Sequence, residues 1–200
     1  MSQHTKDDWE IRVASPGDSS ELVVLIDIAS RGLLTWLWTQ IAPVGQSPLE
    51  IGRERIRTRM DLPTYFANWE VATKAGEIAG GLAGYRIAVP YDPGDISDLP
   101  PLYEPLLELE SIAAGTWHLM TLAVYPEFRK QGIGSMLLKR AEALSVSSGC
   151  SIISIMANSA NEGACRLYLN SGYTLNERRP CIPFPNSEDH WEWFLFQKSI

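Results

Sequence analysis

Residues 122–135 read Leu-Ala-Val-Tyr-Pro-Glu-Phe-Arg-Lys-Gln-Gly-Ile-Gly-Ser, and no other stretch limits the possible fold as much. Upstream, His118, Met120, Leu122 and Val124 alternate onto one face, the period of a strand over residues 117–124. Downstream, Ile133, Leu137, Ala141 and Leu144 recur at helical spacing, which predicts a helix over 132–148 stopped by Gly149. A strand that runs through a glycine-bearing turn into an amphipathic helix forms a β-loop-α unit, and the apolar stripe of such a helix must be covered by a sheet. The pattern then repeats. A β-branched strand is expected over 151–157, a helix over 161–171 closed by Gly172, a strand over 173–177 and a last strand over 191–198. The second half therefore reads β-α-β-α-β-β.

The first half is less regular. Residues 11–13 suit a short strand, and Asp18-Ser19-Ser20-Glu21 has the form of a capping box before Leu22, Leu25, Ile26 and Ala29. A second helix is expected over 48–60, and strands over 69–73 and 78–88 joined by a turn at Gly76. Five prolines between positions 90 and 105 exclude a regular strand or a long helix there. Residues 90–115 read instead as a structured excursion with a short helical turn at 105–110, of a length that usually serves as a lid or binding loop. There is no internal repeat. The whole is a mixed α/β chain, read as a single domain over 1–200.

The turn has a definite chemistry. The first N–H groups of a helix lack internal partners and face its positive dipole end, so they favour an anion. Gly132 and Gly134 let a phosphate approach the backbone, and Arg129 and Lys130 add charge. A dinucleotide fingerprint would need a third glycine where Leu137 stands, and no Gly-Lys-Ser/Thr follows at P-loop spacing.

The full string Val124-x-Pro126-x-x-Arg129-x-x-Gly132-x-Gly134 resembles the acetyl-coenzyme A signature of the GNAT superfamily of N-acetyltransferases. A second string, Asn161-x-x-Ala164-x-x-Leu167-Tyr168-x-x-x-Gly172-Tyr173, is similar to that family's later helix. The resemblance is tight over about residues 117–180. It implies an α/β fold of the α+β kind: a mixed, mostly antiparallel central sheet flanked by helices and splayed at strands 4 and 5. It also implies acetyl transfer from acetyl-coenzyme A, as co-substrate, to an amine that attacks directly in a ternary complex.

By that resemblance the backbone of Leu122, Ala123 and Val124 holds the pantetheine arm, Asn161 bonds it from the other side, and Arg129, Lys130, Gln131, Gly132, Ile133, Gly134 and Ser135 hold the pyrophosphate. Tyr168 lines the same site and matches the family's acid beside the sulfur. The base is open among His118, Glu108 and Glu110, or a water. The acceptor, a small-molecule or peptide amine, would meet Trp36, Trp38, Tyr91, Tyr103, Glu104, Glu108 and Glu110, aromatics and carboxylates that suit a cationic or amphipathic partner. Trp191, Trp193 and Leu195 read as sheet core. The alternative is a non-catalytic acyl-coenzyme A-binding or sensing domain. A homodimer paired through sheet edges is also expected.

The net charge of −7 disfavours a nucleic-acid surface. The longest apolar run, 22–29, is too short for a membrane span and is broken by Asp27. The polar residues 1–8 do not read as a signal peptide, and Cys150, Cys165 and Cys181 read as buried thiols of a reduced compartment, so a cytoplasmic location is expected. His4, His118 and His190 are too scattered to suggest a metal site.

Overall fold

The computed structural model describes residues 9–97, 99–185, 187–188 and 190–200; the polar start read over 1–8, His4 included, lies outside the described residues. The strands are β1 (Glu10–Val13), β2 (Trp69–Lys74), β3 (Glu77–Arg86), β4 (Trp117–Val124), β5 (Ile152–Asn158), β6 (Thr174–Pro180) and β7 (Glu192–Ser199). The helices are α1 (Ser19–Ser30), α2 (Leu33–Ile41), α3 (Pro48–Thr58), α4 (Glu104–Ile112), α5 (Ile133–Ser147) and α6 (Glu162–Asn170). The strands form one seven-stranded sheet in the order β1-β2-β3-β4-β5-β7-β6. The β1–β2, β2–β3, β5–β7 and β6–β7 pairs are antiparallel, and β4 and β5 run parallel. This is the mixed, mostly antiparallel sheet expected from the sequence. The parallel register matches Trp117, His118 and Leu119 to Ile153, Ser154 and Ile155, and β4 continues to Val124 beyond it.

The chain falls into two compact units: the part up to Ala83 with Thr121–Leu138, and Gly84–Met120 with Lys139–Ile200. In the first, Leu22, Leu25 and Ile26 of α1 and Ile56 of α3 are buried with Val71 and Ala72 of β2. The Trp38 ring sits on α3 at Gly52, where a Cβ would lie 2.4 Å from it, so Trp38 is core rather than an acceptor contact. Helix α2 is not evident in the sequence because α1 ends without a glycine at its left-handed cap. Arg31 takes that conformation at φ 55°, Gly32 follows at φ 86°, and α2 starts at once. The expected capping box also shifts. Asp18 takes the Ser15 N–H at 2.7 Å and the Arg12 guanidinium at 2.8 Å, and so closes the turn before α1 rather than capping α1 itself.

Gly80 permits the closest backbone approach in this unit. A Cβ there would stand 2.5 Å from the Ala123 carbonyl oxygen. Gly80→Ala is expected to lower stability by about 3 kcal/mol in chemical denaturation, since backbone cannot yield as a side chain can. Gly163→Ala on α6 is the control: its nearest neighbour would be 4.0 Å away, and helix propensity favours alanine.

In the second unit, β7 pairs with β5 from Ile152↔Ser199 to Asn158↔Trp193; Trp193 and Leu195 are buried, as the alternation requires, and Phe196 is buried out of that phase. β6 closes this side of the sheet with Glu177, Arg178 and Arg179 and a register shift between Leu175 and Glu177, features that blunt a sheet edge. The helical turn expected at 105–110 is the nine-residue α4, because Pro105 falls in its first turn, where the missing N–H costs nothing.

Among the described residues no single helix is long and apolar enough to cross a membrane. α1 and α2 pass on composition only as a pair bent by 116°, and Leu22, Leu25, Leu33 and Trp38 of that pair are buried in the fold.

Candidate active site

The turn after β4 belongs to the first unit. The Tyr125 N–H donates to the Ala79 carbonyl at 2.9 Å, and a single 3-10 turn, Pro126–Phe128, lifts the chain off the sheet. Arg129 Nε donates back to the Val124 carbonyl at 3.1 Å, and Gln131 Nε2 donates to the Glu127 carbonyl at 3.3 Å, so these side chains brace the loop. Lys130 (φ 61°) and Gly132 (φ 83°) take left-handed conformations that turn the backbone toward α5. The Met136 N–H donates to the Gly132 carbonyl at 3.0 Å. The N–H groups of Ile133, Gly134 and Ser135 precede it in the first turn, where helix geometry supplies no acceptor. The Ile133 side chain is buried and anchors the turn, while Arg129, Lys130, Gln131, Gly132 and Ser135 are exposed. A Cβ at Gly132 would meet nothing within 4 Å, so the backbone is open to approach at that residue. This is a fit for a phosphate. On β4 behind it, Ala123 is buried, and Leu122 and Val124 are half-buried on their shared face.

Asn161, Tyr168, His118, Glu108 and Glu110 belong to the second unit. Asn161 caps α6: its Oδ1 accepts from the Ala164 N–H at 3.2 Å, which leaves the amide NH₂ to donate elsewhere. Tyr168 is buried, with its ring 5.7 Å from Phe196 and 6.0 Å from Tyr173. Burial raises its hydroxyl pKa well above the ordinary value, so it keeps its proton.

His118 is 4% exposed and ends a chain of hydroxyls. Thr116 Oγ1 donates to the Ala113 carbonyl at 2.8 Å, so it accepts from Ser154 Oγ at 2.7 Å. Ser154 has one proton and spends it there, so it accepts from His118 Nδ1–H at 3.0 Å. The neutral imidazole therefore carries its proton on Nδ1 and its lone pair on Nε2. Desolvation holds its pKa down at about 4, although the Glu110 charge works in the opposite direction.

Glu110 is half-buried on α4 and receives two phenols: Tyr85 Oη donates to Oε1 at 2.6 Å and Tyr91 Oη to Oε2 at 2.8 Å. The Tyr85 ring stands edge-on to His118, centroids 5.8 Å apart. Burial and the neighbouring carboxylate both raise the tyrosine pKa values, so both phenols stay protonated. Glu108, two residues earlier on α4, accepts from Arg179 Nε at 2.5 Å. The structure thus separates the base candidates. Glu110 and His118 share a cluster through Tyr85, and Glu108 belongs to an ion pair.

Sequence reasoning did not single out Tyr85, Ser154 or Thr116. A strand tyrosine and two hydroxyls carry no spacing signal, and the parallel register that sets His118 opposite Ser154 is a long-range property. Among the other acceptor-side expectations, Trp36 and Tyr103 are half-buried and Glu104 is exposed. Among the described residues no group of three or more His, Cys, Asp or Glu is placed to hold a metal ion.

The model of the acetyltransferase (GNAT) family matches residues 31–173. No curated protein is similar enough in sequence to match the chain. Among solved structures, one described as an acetyltransferase aligns at TM-score 0.63 and 20% identity, covering 95% of this chain and 98% of that one. PaiA N-acetyltransferase from Thermoplasma acidophilum, in complex with coenzyme A, aligns at TM-score 0.58 and 15% identity, over 96% of this chain and 100% of its own. YncA of Salmonella typhimurium, a putative acetyltransferase with its cofactor acetyl-CoA, aligns at 0.59 and 14%, over 96% and 94%. At these identities the likeness is one of fold.

Proposed function

The chain belongs to the GNAT acetyltransferase family, and on that premise we propose that it acts as a single N-acetyltransferase domain moving an acetyl group from acetyl-coenzyme A to an amine. The observation that carries this reading is the open backbone cradle at Gly132, at the start of α5. When bound, acetyl-coenzyme A supplies an acetyl group activated as a thioester. The N–H groups of Ile133, Gly134 and Ser135 bond its phosphates, with Lys130 adding charge and Arg129 and Gln131 bracing the turn. The main chain of Leu122, Ala123 and Val124 holds the pantetheine arm as an added strand would, and the Asn161 NH₂ donates to it.

Glu110 is the base in this reading. Its carboxylate takes one proton from the acceptor ammonium before the nitrogen attacks. A second proton leaves the nitrogen as the N–C bond forms and the C–S bond breaks. Tyr168 holds its hydroxyl as donor to the departing sulfur, which ends protonated as the thiol, so one proton is released overall. His118 is buried with its Nδ1–H committed to Ser154 and its ring edge-on to Tyr85, and in this reading it positions Tyr85. The reading includes a cytoplasmic enzyme, in keeping with three free cysteines. A homodimer is carried on the family resemblance alone.

The test is calorimetric titration with acetyl-coenzyme A, beside a Gly132→Glu, Gly134→Glu double variant shown to fold by circular dichroism. Saturable binding to the wild type and none to the variant is the expected result. No binding by well-folded wild type overturns the reading.

A further inference from the structure

The two phenols on Glu110 differ in how firmly they are held. Tyr85 lies on β3, next to Gly84, whose Cβ position would be 2.4 Å from the Trp117 ring and 2.6 Å from the His118 carbonyl oxygen. The backbone at Tyr85 is therefore clamped against β4, and its ring is further fixed on His118. Tyr91 comes from beyond the end of β3, in a segment without regular structure that continues Asp92-Pro93-Gly94 and is mostly exposed. One Glu110 oxygen is held by a neighbour within the sheet and the other by a neighbour on an irregular, mostly exposed segment. Both donors are neutral phenols, one to each carboxylate oxygen.

We propose that the Tyr91 hydroxyl is a displaceable stand-in for the acceptor, and that Glu110, Tyr85 and Tyr91 together select a primary ammonium on a carbon chain that bears no neighbouring carboxylate. This rests on the transferase reading above and gives it a substrate class. An ammonium N–H replaces the Tyr91 O–H on Oε2, and Tyr85 keeps Oε1 in place. The displaced Tyr91 ring offers its face to the cation. A carboxylate beside the amine would bring a second negative charge up to Glu110, and is rejected for that reason.

Isosteric substitutions separate this role from a structural one, because the two tyrosines act in opposite directions. Tyr91→Phe removes the competing hydroxyl and keeps the ring, so KM for hexylamine is expected to fall about tenfold, a charge-assisted hydrogen bond no longer having to be broken. Tyr85→Phe releases Oε1, so KM rises and kcat falls. Glycine and L-alanine are expected to be at least about tenfold poorer acceptors than hexylamine. An equal rise in KM for both variants, or a preference for the amino acids, overturns the proposal.

Direct binding keeps this separate from the transferase reading. NMR titration with hexylammonium chloride, without acetyl-coenzyme A, is expected to shift the resonances of Tyr85, Tyr91 and Glu110 saturably. Those shifts without turnover support the ammonium site and overturn the transferase reading. Turnover of amines with no shift at these residues does the reverse.

Discussion

Lowering the pH from 6.5 to about 4 is expected to cost the protein about 3 kcal/mol of stability through His118 alone. The folded chain holds this imidazole neutral, at a pKa of about 4 against 6.5 for an ordinary histidine, because burial strips the charged ring of water and outweighs the opposing pull of Glu110. The unfolded chain takes up the proton first as pH falls. The stabilisation is therefore complete above pH 6.5 and is lost progressively as the pH drops through the folded value. Urea denaturation at several pH values should show this slope in the wild type, and it should be largely absent from a folded His118→Gln variant. NMR supplies a check that needs no substitution. His118 should keep the Nδ1–H tautomer pattern at pH 5. A His118 that titrates near 6.5 would sink the account.

Replacing Glu110, the base we propose, should reduce turnover by more than any other single change near the acceptor. Glu110→Gln is expected to lower kcat about 10²–10⁴-fold, the usual contribution of a positioned proton acceptor, and to leave acetyl-coenzyme A binding intact. Glutamine keeps the size of the side chain and one carbonyl acceptor, so a tyrosine can still bond to it and folding is preserved. Glu108→Gln is the comparison. It breaks the ion pair with Arg179 and should change kcat far less. Measured side by side with any accepted amine, equal losses in both variants would reject Glu110 as base. Tyr168→Phe, assayed on the same amine, should slow transfer without weakening binding of the acetyl donor.

The helix and strand order of the second half was legible because each element carries its own period and stop. Ile133, Leu137 and Ala141 are all buried on α5, as their spacing requires, and Gly149 and Gly172 mark helix ends with φ of 75° and 86°. The turn that begins α5 was legible for a related reason: its conformation is made by consecutive residues, with Gly132 at φ 83° just before the helix. The first half was harder to read. Nothing in Leu-Leu-Thr-Trp-Leu-Trp-Thr-Gln-Ile separates a buried helix from a strand, and the left-handed Arg31 that ends α1 has no sequence signature. Gly52 became explicable only once Trp38 was seen to lie on it.

The sequence by itself determined the fold class, the family resemblance and the glycine-bearing turn between β4 and α5, since each rests on contacts between residues close in the chain. Tertiary structure decided which acid or base candidates act together. Glu110, Tyr85 and Tyr91 come from a helix, a strand and the segment between them, and His118 meets Ser154 only through the parallel β4–β5 register. Proton chemistry depends on a few tenths of an ångström and on burial, both set by packing between residues far apart in sequence.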